Sequence, residues 1–216
     1  MVLARRVVLS TTATFVTLLV FAMRLYPGGT SWDPRAPGHH FWLNYLCDLA
    51  RPTALNGVPN PIGSTLAQIA ILALAVGLLP FWSLLGRLAN APRIAMKVRV
   101  LGTLAAVGVV GVVLLPGDRF GSLHGMACIA AAIPGLLAAT LSVRALLRRD
   151  AVMPAARAVG WVGAATLAIA GTCFFLYVPD VLRLSAALVA VAVLERASLA
   201  LLLLWMLVCC AACRTS

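Results

Sequence analysis

The sequence predicts an all-α membrane protein, a polytopic helical bundle of about six transmembrane helices with both termini in the cytoplasm. Hydrophobic residues make up 62% of the 216 residues and the mean hydropathy is +1.02, well above the values of water-soluble domains. The apolar residues form runs of about 20 residues, which is the length that a helix needs to cross a bilayer. The basic residues lie mostly at the ends of these runs, as they do in membrane proteins.

The apolar runs and the segments between them divide the chain. Six crossings use about 120 residues, so the loops are short and residues 1–216 are expected to form a single six-helix transmembrane domain. The predicted spans lie at about 7–26, 62–85, 100–115, 123–147, 158–178 and 186–212, and a long outer loop lies at 27–61.

The first span follows Arg5 and Arg6, as the apolar region of a secretory signal would. It is too long for such a region and no small-residue cleavage site follows it, so we interpret it as an uncleaved helix. The long loop that comes next is rich in Pro and Gly at both ends. Its centre, residues 41–49, contains Trp42 and Tyr45 and is expected to form a short helix at the outer membrane interface.

Glycines mark two of the later spans. Span three is short and carries Gly102, Gly108 and Gly111, and span five carries Gly160 and Gly163. Small residues let membrane helices approach each other closely. These glycines predict either close packing within the bundle or self-association of the chain into a homo-oligomer.

The last apolar stretch, residues 184–212, is too long for one untilted crossing. In one interpretation the sixth span is tilted and places Glu195 and Arg196 near the middle of the membrane. In the other, residues 181–194 form part of an outer interfacial or re-entrant helix and the crossing begins near Glu195. The sequence leaves both open.

The distribution of charge orients the predicted bundle. When the loops are assigned alternately to two sides, eleven Lys and Arg residues fall on the side of the termini and five on the other side. The positive-inside rule therefore predicts a multi-pass protein of the cell inner (plasma) membrane with cytoplasmic termini. The basic residues form no continuous patch with interleaved aromatic residues, so the expected partner is membrane lipid and not nucleic acid.

Glu195 and Arg196 are the most informative residues, because a charged side chain inside a membrane helix costs about 2.5 to 3.5 kcal/mol on insertion scales. In a structural interpretation Glu195 locks the bundle through a hydrogen bond or ion pair, while Arg196 snorkels or pairs with an Asp. In a functional one they line a polar pocket for a head group, an ion or a proton. Neighbouring helical positions diverge by about 100°, so we expect separate contacts and no shared partner.

Asp118 lies in a tight turn six residues before His124, which stands at the mouth of span four. A His that an Asp orients is suited to act as a general base, a metal ligand or a pH sensor, and the two residues would be catalytic if the protein were an enzyme. The alternative is that His124 caps its helix or bonds a loop carbonyl.

Asn44 and Asp48 are four residues apart, on one face of the short helix expected in the long loop. They are candidates for the same outer pocket. The alternative is that Asp48 pairs with Arg51 at the surface.

The sequence predicts no cofactor and no metal site. A membrane haem needs two His ligands, and only His124 borders a span. The chain has no His-x-Glu zinc motif, no Gly-x-Ser-x-Gly elbow and no Walker loop. His39 and His40 lie in the Pro/Gly-rich loop and are expected to be solvated.

Three short motifs together resemble a bacterial six-span membrane family of unknown function that is related to the DRAM, Frag and Sfk proteins. They are Tyr-Leu-Cys-Asp-Leu-Ala at 45–50, Leu-Pro-Gly-Asp at 115–118 with Leu-His-Gly at 123–125, and Leu-Glu-Arg-Ala-Ser at 194–198 with Leu-Trp at 204–205. The chain has Cys47 where the family usually has Ser and Ala50 where Gly is usual. The resemblance implies a six-helix fold with polar residues toward the outer face, and no established activity.

The hypothesis that these observations favour is a membrane protein that binds a lipid head group or small amphiphile in a polar pocket near the outer leaflet. One alternative is a membrane-embedded hydrolase or transferase that uses His124 and Asp118, and a further one is an ion- or proton-coupled transporter. The expected ligand-binding residues are Asn44, Asp48, Asp118, His124, Glu195 and Arg196.

Overall fold

The computed structural model describes residues 1–89, 91–148, 154–182 and 189–215 and contains seven α-helices and one 3₁₀ helix in these ranges. The 3₁₀ helix is Leu46–Ala50. The α-helices are α1 (Val2–Leu25), α2 (Pro61–Leu88), α3 (Pro92–Leu114), α4 (Gly117–Phe120), α5 (Ser122–Leu147), α6 (Pro154–Val181) and α7 (Val189–Thr215).

Six of these helices, all except the one-turn α4, are long and apolar enough to cross a membrane. The prediction of an all-α bundle with six spans is therefore confirmed. The helices extend beyond the predicted spans: α3 begins at Pro92 and its first turns carry Arg93, Lys97 and Arg99. Proline is favoured in the first turn of a helix, where its missing N–H group has no partner to lose. Hydropathy detects the apolar part of such a helix and misses its charged end.

The long helices follow one another around the bundle. Each packs against the next one in the chain, and α7 returns to contact α1 and α2. We call the end that carries residues 26–60 and α4 the loop end, and the opposite end the terminal end. One apolar core lies toward the loop end around Phe15 and Leu49, and a second surrounds Phe81, Trp82 and Trp205.

Glycines in α3 and α6 face large side chains of their neighbours. A Cβ atom added at Gly102 would overlap the Trp82 indole, and one added at Gly163 would lie 2.6 Å from the Trp205 ring. At Gly108 it would lie 2.6 Å from the Ala131 Cα. The close packing predicted from these glycines is therefore found within one chain. Self-association stays a prediction.

Residues 26–60 form a folded cap on the loop end. Gly28 and Gly29 have φ angles of 140° and 86°, which favour glycine, and they turn the chain back so that Gly28 pairs with Pro37 in an isolated bridge. The Asn60 amide donates hydrogen bonds of 3.2 Å to the Leu49 and Arg51 carbonyls and so joins the end of the cap to its middle.

The centre of the cap differs from the predicted interfacial helix. Residues 41–44 form a turn, and only Leu46–Ala50 is helical, as a 3₁₀ helix. Leu49 is fully buried, so this segment packs into the bundle, while Phe41 and Trp42 remain exposed. Of the two aromatic residues that suggested an interfacial helix, Trp42 lies in the turn and Tyr45 is the N-cap residue of the 3₁₀ helix.

Candidate functional site

Arg196 of α7 holds the cap against the bundle. Its Nε and Nη2 atoms donate to the carbonyl oxygens of Phe41 and Asn44 at 3.1 and 2.6 Å, and its guanidinium carbon lies 5.5 Å from the centre of the Phe41 ring. Nη1 donates to the Glu195 carboxylate at 3.1 Å. Arg196 is 5% exposed, so a full positive charge is buried with one counter-ion and two carbonyl acceptors.

Glu195 connects the same cap segment to the interior of the bundle. Its Oε2 atom accepts hydrogen bonds from the Leu46 N–H at 2.8 Å and from Arg196. Oε1 accepts none from the described residues, and it is not fully buried. The side chain is 29% exposed, and that exposed part faces cavities between the helices.

The contacts of Glu195 and Arg196 bear on two predictions. Glu195 is the seventh described residue of α7, about 9 Å along the helix from Val189, and it contacts the cap at the loop end, while its depth in the membrane stays a prediction. Glu195 and Arg196 make separate contacts, as expected: Glu195 accepts from Leu46, whereas Arg196 donates to Phe41 and Asn44. All three partners nevertheless lie in one segment of the cap, residues 41–46.

Two cavities of about 320 and 400 Å³ lie between the helices, and all six long helices contribute to their walls. Leu46, Glu195 and Ser198 line both cavities, which therefore meet at Glu195. The first extends to Tyr45 and Tyr177 near the loop end, and the second extends to Trp82 and Trp205. We call these two cavities together the axial cavity.

The lining of the axial cavity is almost entirely aliphatic, aromatic or sulfur-containing. Among the described residues that line it, Glu195 is the only acid, and none is Lys or Arg. A largely apolar cavity with a few polar groups is the usual form of a site for a small ligand.

Asn44 and Asp48 do meet, as their spacing predicted, but they bond within the cap. The Asn44 amide donates to the Gly29 carbonyl at 2.8 Å and to Asp48 Oδ2 at 3.4 Å, and its oxygen accepts from the His40 N–H. Asp48 Oδ2 also accepts from the Tyr45 N–H at 2.8 Å and so caps the 3₁₀ helix. Both side chains are buried.

The environment of Asp48 opposes its ionisation. Burial raises the pKa of this carboxyl group above its usual value, and the Tyr45 N–H and the nearby Arg51 charge partly offset the rise. The alternative was a surface ion pair between Asp48 and Arg51. No such pair is found among the described residues, and Asp48 Oδ2 forms its hydrogen bonds inside the cap.

Asp118 and His124 have separate partners. His124 Nδ1 lies 2.7 Å from the Leu115 carbonyl oxygen and Nε2 lies 3.7 Å from Cys128 Sγ. Asp118 Oδ2 accepts from the Thr53 N–H at 3.1 Å. Of the two interpretations, the bond between His124 and a loop carbonyl is the one observed. Neither residue is among those that line the axial cavity.

His39 belongs to the site although the sequence suggested that it was solvated. Its Nε2 atom lies 3.5 Å from Arg196 Nη2, and its ring meets the Tyr26 ring edge-on at 6.0 Å between centroids. Burial, reinforced by the Arg196 charge, lowers the pKa of His39 to about 4. Its neighbour His40 is exposed, as predicted.

The fold and the site define a multi-pass membrane protein with an axial cavity that is lined at one end by residues of the cap. Comparison with protein-family models, with curated proteins and with solved structures found no match to this chain. The resemblance to the six-span family related to the DRAM, Frag and Sfk proteins therefore stays a prediction.

Proposed function

We propose that this membrane protein binds a small amphiphile in the axial cavity, with the head group held at Glu195. The observation that carries the proposal is the Glu195 carboxylate, which bonds the cap through Oε2 and presents Oε1 to a largely apolar space. An acceptor without a partner in apolar surroundings is unfavourable, and a ligand that donates a hydrogen bond removes this cost.

The size and chemistry of the cavity agree with this role. Its two parts fall within the range of about 300 to 1,000 Å³ that is usual for small-molecule sites. A ligand with an apolar tail would bury that tail against side chains such as Leu199 and Trp205. Such a ligand would come from the bilayer, as a membrane lipid or another amphiphile that dissolves in it.

We further propose that the loop end faces outward from the cell inner membrane and that both termini are cytoplasmic. The excess of Lys and Arg near the terminal end supports this orientation. Reporter fusions at the two ends that are active only in the cytoplasm test it. If a reporter that works only outside the cytoplasm is active when it is fused to either end of the chain, the proposed orientation is wrong.

Binding is tested by blocking the cavity. Ala132 lines both parts of the cavity, whereas Ala130 on the same helix is exposed on the outside of the bundle. We expect an amphiphile to co-purify with the wild type in native mass spectrometry. Ala132→Phe should lose this ligand, and Ala130→Phe should retain it. Equal retention by the two variants, with both folded, would exclude the axial cavity as the binding site.

A further inference from the structure

We propose that the head group bound at Glu195 is an uncharged hydrogen-bond donor, such as the hydroxyl of a long-chain alcohol, and that anionic amphiphiles are rejected. This inference rests on the proposed function and specifies its ligand class. It follows from the charges and donors that face the axial cavity.

The first step is the state of the Glu195 carboxylate. Burial opposes ionisation of this carboxyl group, but Oε2 accepts hydrogen bonds from the Leu46 N–H and from the Arg196 guanidinium, and these two contacts favour the ionised form. An ionised carboxylate has only acceptor sites, so Oε1 presents an acceptor to the cavity. The head group must therefore donate.

The second step is the lack of a positive charge that a ligand can reach. Arg196 directs its nitrogens at the cap carbonyls and at Glu195, is 5% exposed and does not line the cavity. None of the described residues that line the cavity is Lys or Arg. A fatty acid or a phosphate would thus place a negative charge beside Glu195 in apolar surroundings with no cation to balance it.

The third step separates a neutral donor from a cationic one. Arg196 already balances the charge of Glu195 through a contact of 3.1 Å. A bound ammonium group would add a second positive charge for one carboxylate, and this excess charge would be buried. A hydroxyl group donates to Oε1 and leaves the net charge of the pair unchanged, so it is the head group that fits best.

The tail has a defined direction. Trp205 lies ten positions after Glu195 in α7, a distance of about 15 Å along the helix, and the second part of the cavity reaches both. The Trp82 and Trp205 rings meet edge-on at 6.0 Å between centroids in the core at that end. A hydrocarbon chain that enters at Glu195 would run along α7 toward these rings.

Three ligands with the same 16-carbon chain test the inference on the full-length protein in detergent at pH 8: hexadecan-1-ol, hexadecylamine and hexadecanoate. The alcohol donates a hydrogen bond to an ionised carboxylate, whereas hexadecanoate adds a second negative charge, so we expect the alcohol to bind about tenfold or more tightly than hexadecanoate, with the amine between them. Hexadecanoate or hexadecylamine binding as tightly as the alcohol would overturn the inference while leaving the proposed cavity in place.

A substitution tests the role of Oε1. In Glu195→Gln the amide oxygen can keep the hydrogen bond from the Leu46 N–H, while the amide nitrogen takes the position of Oε1 and becomes a donor. We expect hexadecanoate to gain about tenfold in affinity for this variant. No gain in a folded variant would count against the assigned role, and the wild-type comparison decides if the variant does not fold.

Failure of the proposed function has a different result. If neither the three ligands nor hexadecane binds the wild type, the cavity does not take amphiphiles. Selectivity for the alcohol that persists unchanged in Ala132→Phe would place the bound head group at another site.

Discussion

Arg196 Nη2 donates a 2.6 Å hydrogen bond to the carbonyl oxygen of Asn44, a residue that precedes it by 152 positions. The bond joins α7 to the cap, and the neighbouring Glu195 accepts from Leu46 two residues further along the same segment. The position of the cap and the exposure of Glu195 to the axial cavity are thus fixed by adjacent residues of one helix. A change that releases the cap should also change the cavity.

Removal of the Arg196 side chain tests this coupling. In Arg196→Leu the Phe41 and Asn44 carbonyls lose their donors and Glu195 loses its counter-ion. Breaking a buried ion pair in this way costs about 3 to 5 kcal/mol, so we expect a lower unfolding temperature in detergent and faster proteolysis within residues 26–60.

Arg119 provides the control for this substitution. It lies at the same end of the molecule, but its side chain is exposed. Arg119→Leu removes the same charge, and we expect its melting temperature and cleavage rate to stay near those of the wild type. Equal effects from the two substitutions would show that total charge, and not the cap contacts, determines stability.

Asn44 is expected to be more sensitive to a charge than to truncation. Asn44→Ala removes three hydrogen bonds, a loss of about 1 to 3 kcal/mol. Asn44→Asp would place a second carboxylate about 3.4 Å from Asp48 Oδ2, where burial already opposes ionisation. At neutral pH we therefore expect Asn44→Asp to melt at a lower temperature than Asn44→Ala, with a difference that shrinks on acidification.

The control for Asn44→Asp is Asn56→Asp, which adds the same charge to the same cap. Asn56 is partly exposed and its oxygen accepts from the Val58 N–H at 3.1 Å, a role that an Asp oxygen retains. We expect little change in its melting temperature. A pH-independent loss of stability in Asn44→Asp would argue against repulsion between carboxylates as the cause.

His39 should make the protein less stable in mild acid. Its folded-state pKa is about 4, below the ordinary value of 6.5, so the unfolded chain binds more protons between these two pH values. The free energy of unfolding should therefore fall as the pH decreases from 6.5 to 4, because protonation would place a charge in a largely buried site and beside Arg196. Chemical unfolding of wild type and His39→Gln across this range measures the difference.

The neighbouring histidine serves as a control for that measurement. His40 is exposed, and His40→Gln should keep the acid-dependent loss of stability that His39→Gln reduces. If His39→Gln follows the wild-type pH profile in full, the loss has another origin in the chain.

The sequence identified the helices because the cost of exposing peptide groups to lipid forces each long apolar run to form one. It also singled out Glu195 and Arg196, because buried charge inside a membrane helix is costly. It could not identify their partners. The contacts with Leu46 and His39 span 149 and 157 positions, and the Leu46 partner is a backbone N–H that every residue except Pro possesses.

Closeness in the sequence was misleading for Asp118 and His124. The one-turn helix α4 contains Asp118 and places its carboxylate beside Thr53, while His124 bonds back to Leu115. The axial cavity was also beyond prediction, because it is the space that six helices leave between them. Its shape depends on how glycines such as Gly102 set the distance between those helices.

Two glycines of α3 separate packing effects from backbone effects. A Cβ atom at Gly102 would overlap the indole of Trp82, which lines the axial cavity, whereas a Cβ atom at Gly111 meets nothing within 4 Å. Overpacking costs about 1 to 3 kcal/mol, so we expect Gly102→Ala to lower the melting temperature and to displace the Trp82 ring, with an altered fluorescence spectrum. Gly111→Ala should leave both unchanged, since it adds the same methyl group to the same helix in open space. Gly102 lies at the contact between α2 and α3, and Gly111 does not. A loss of stability of equal size in the two variants would therefore mean that the close approach of these helices does not limit the packing.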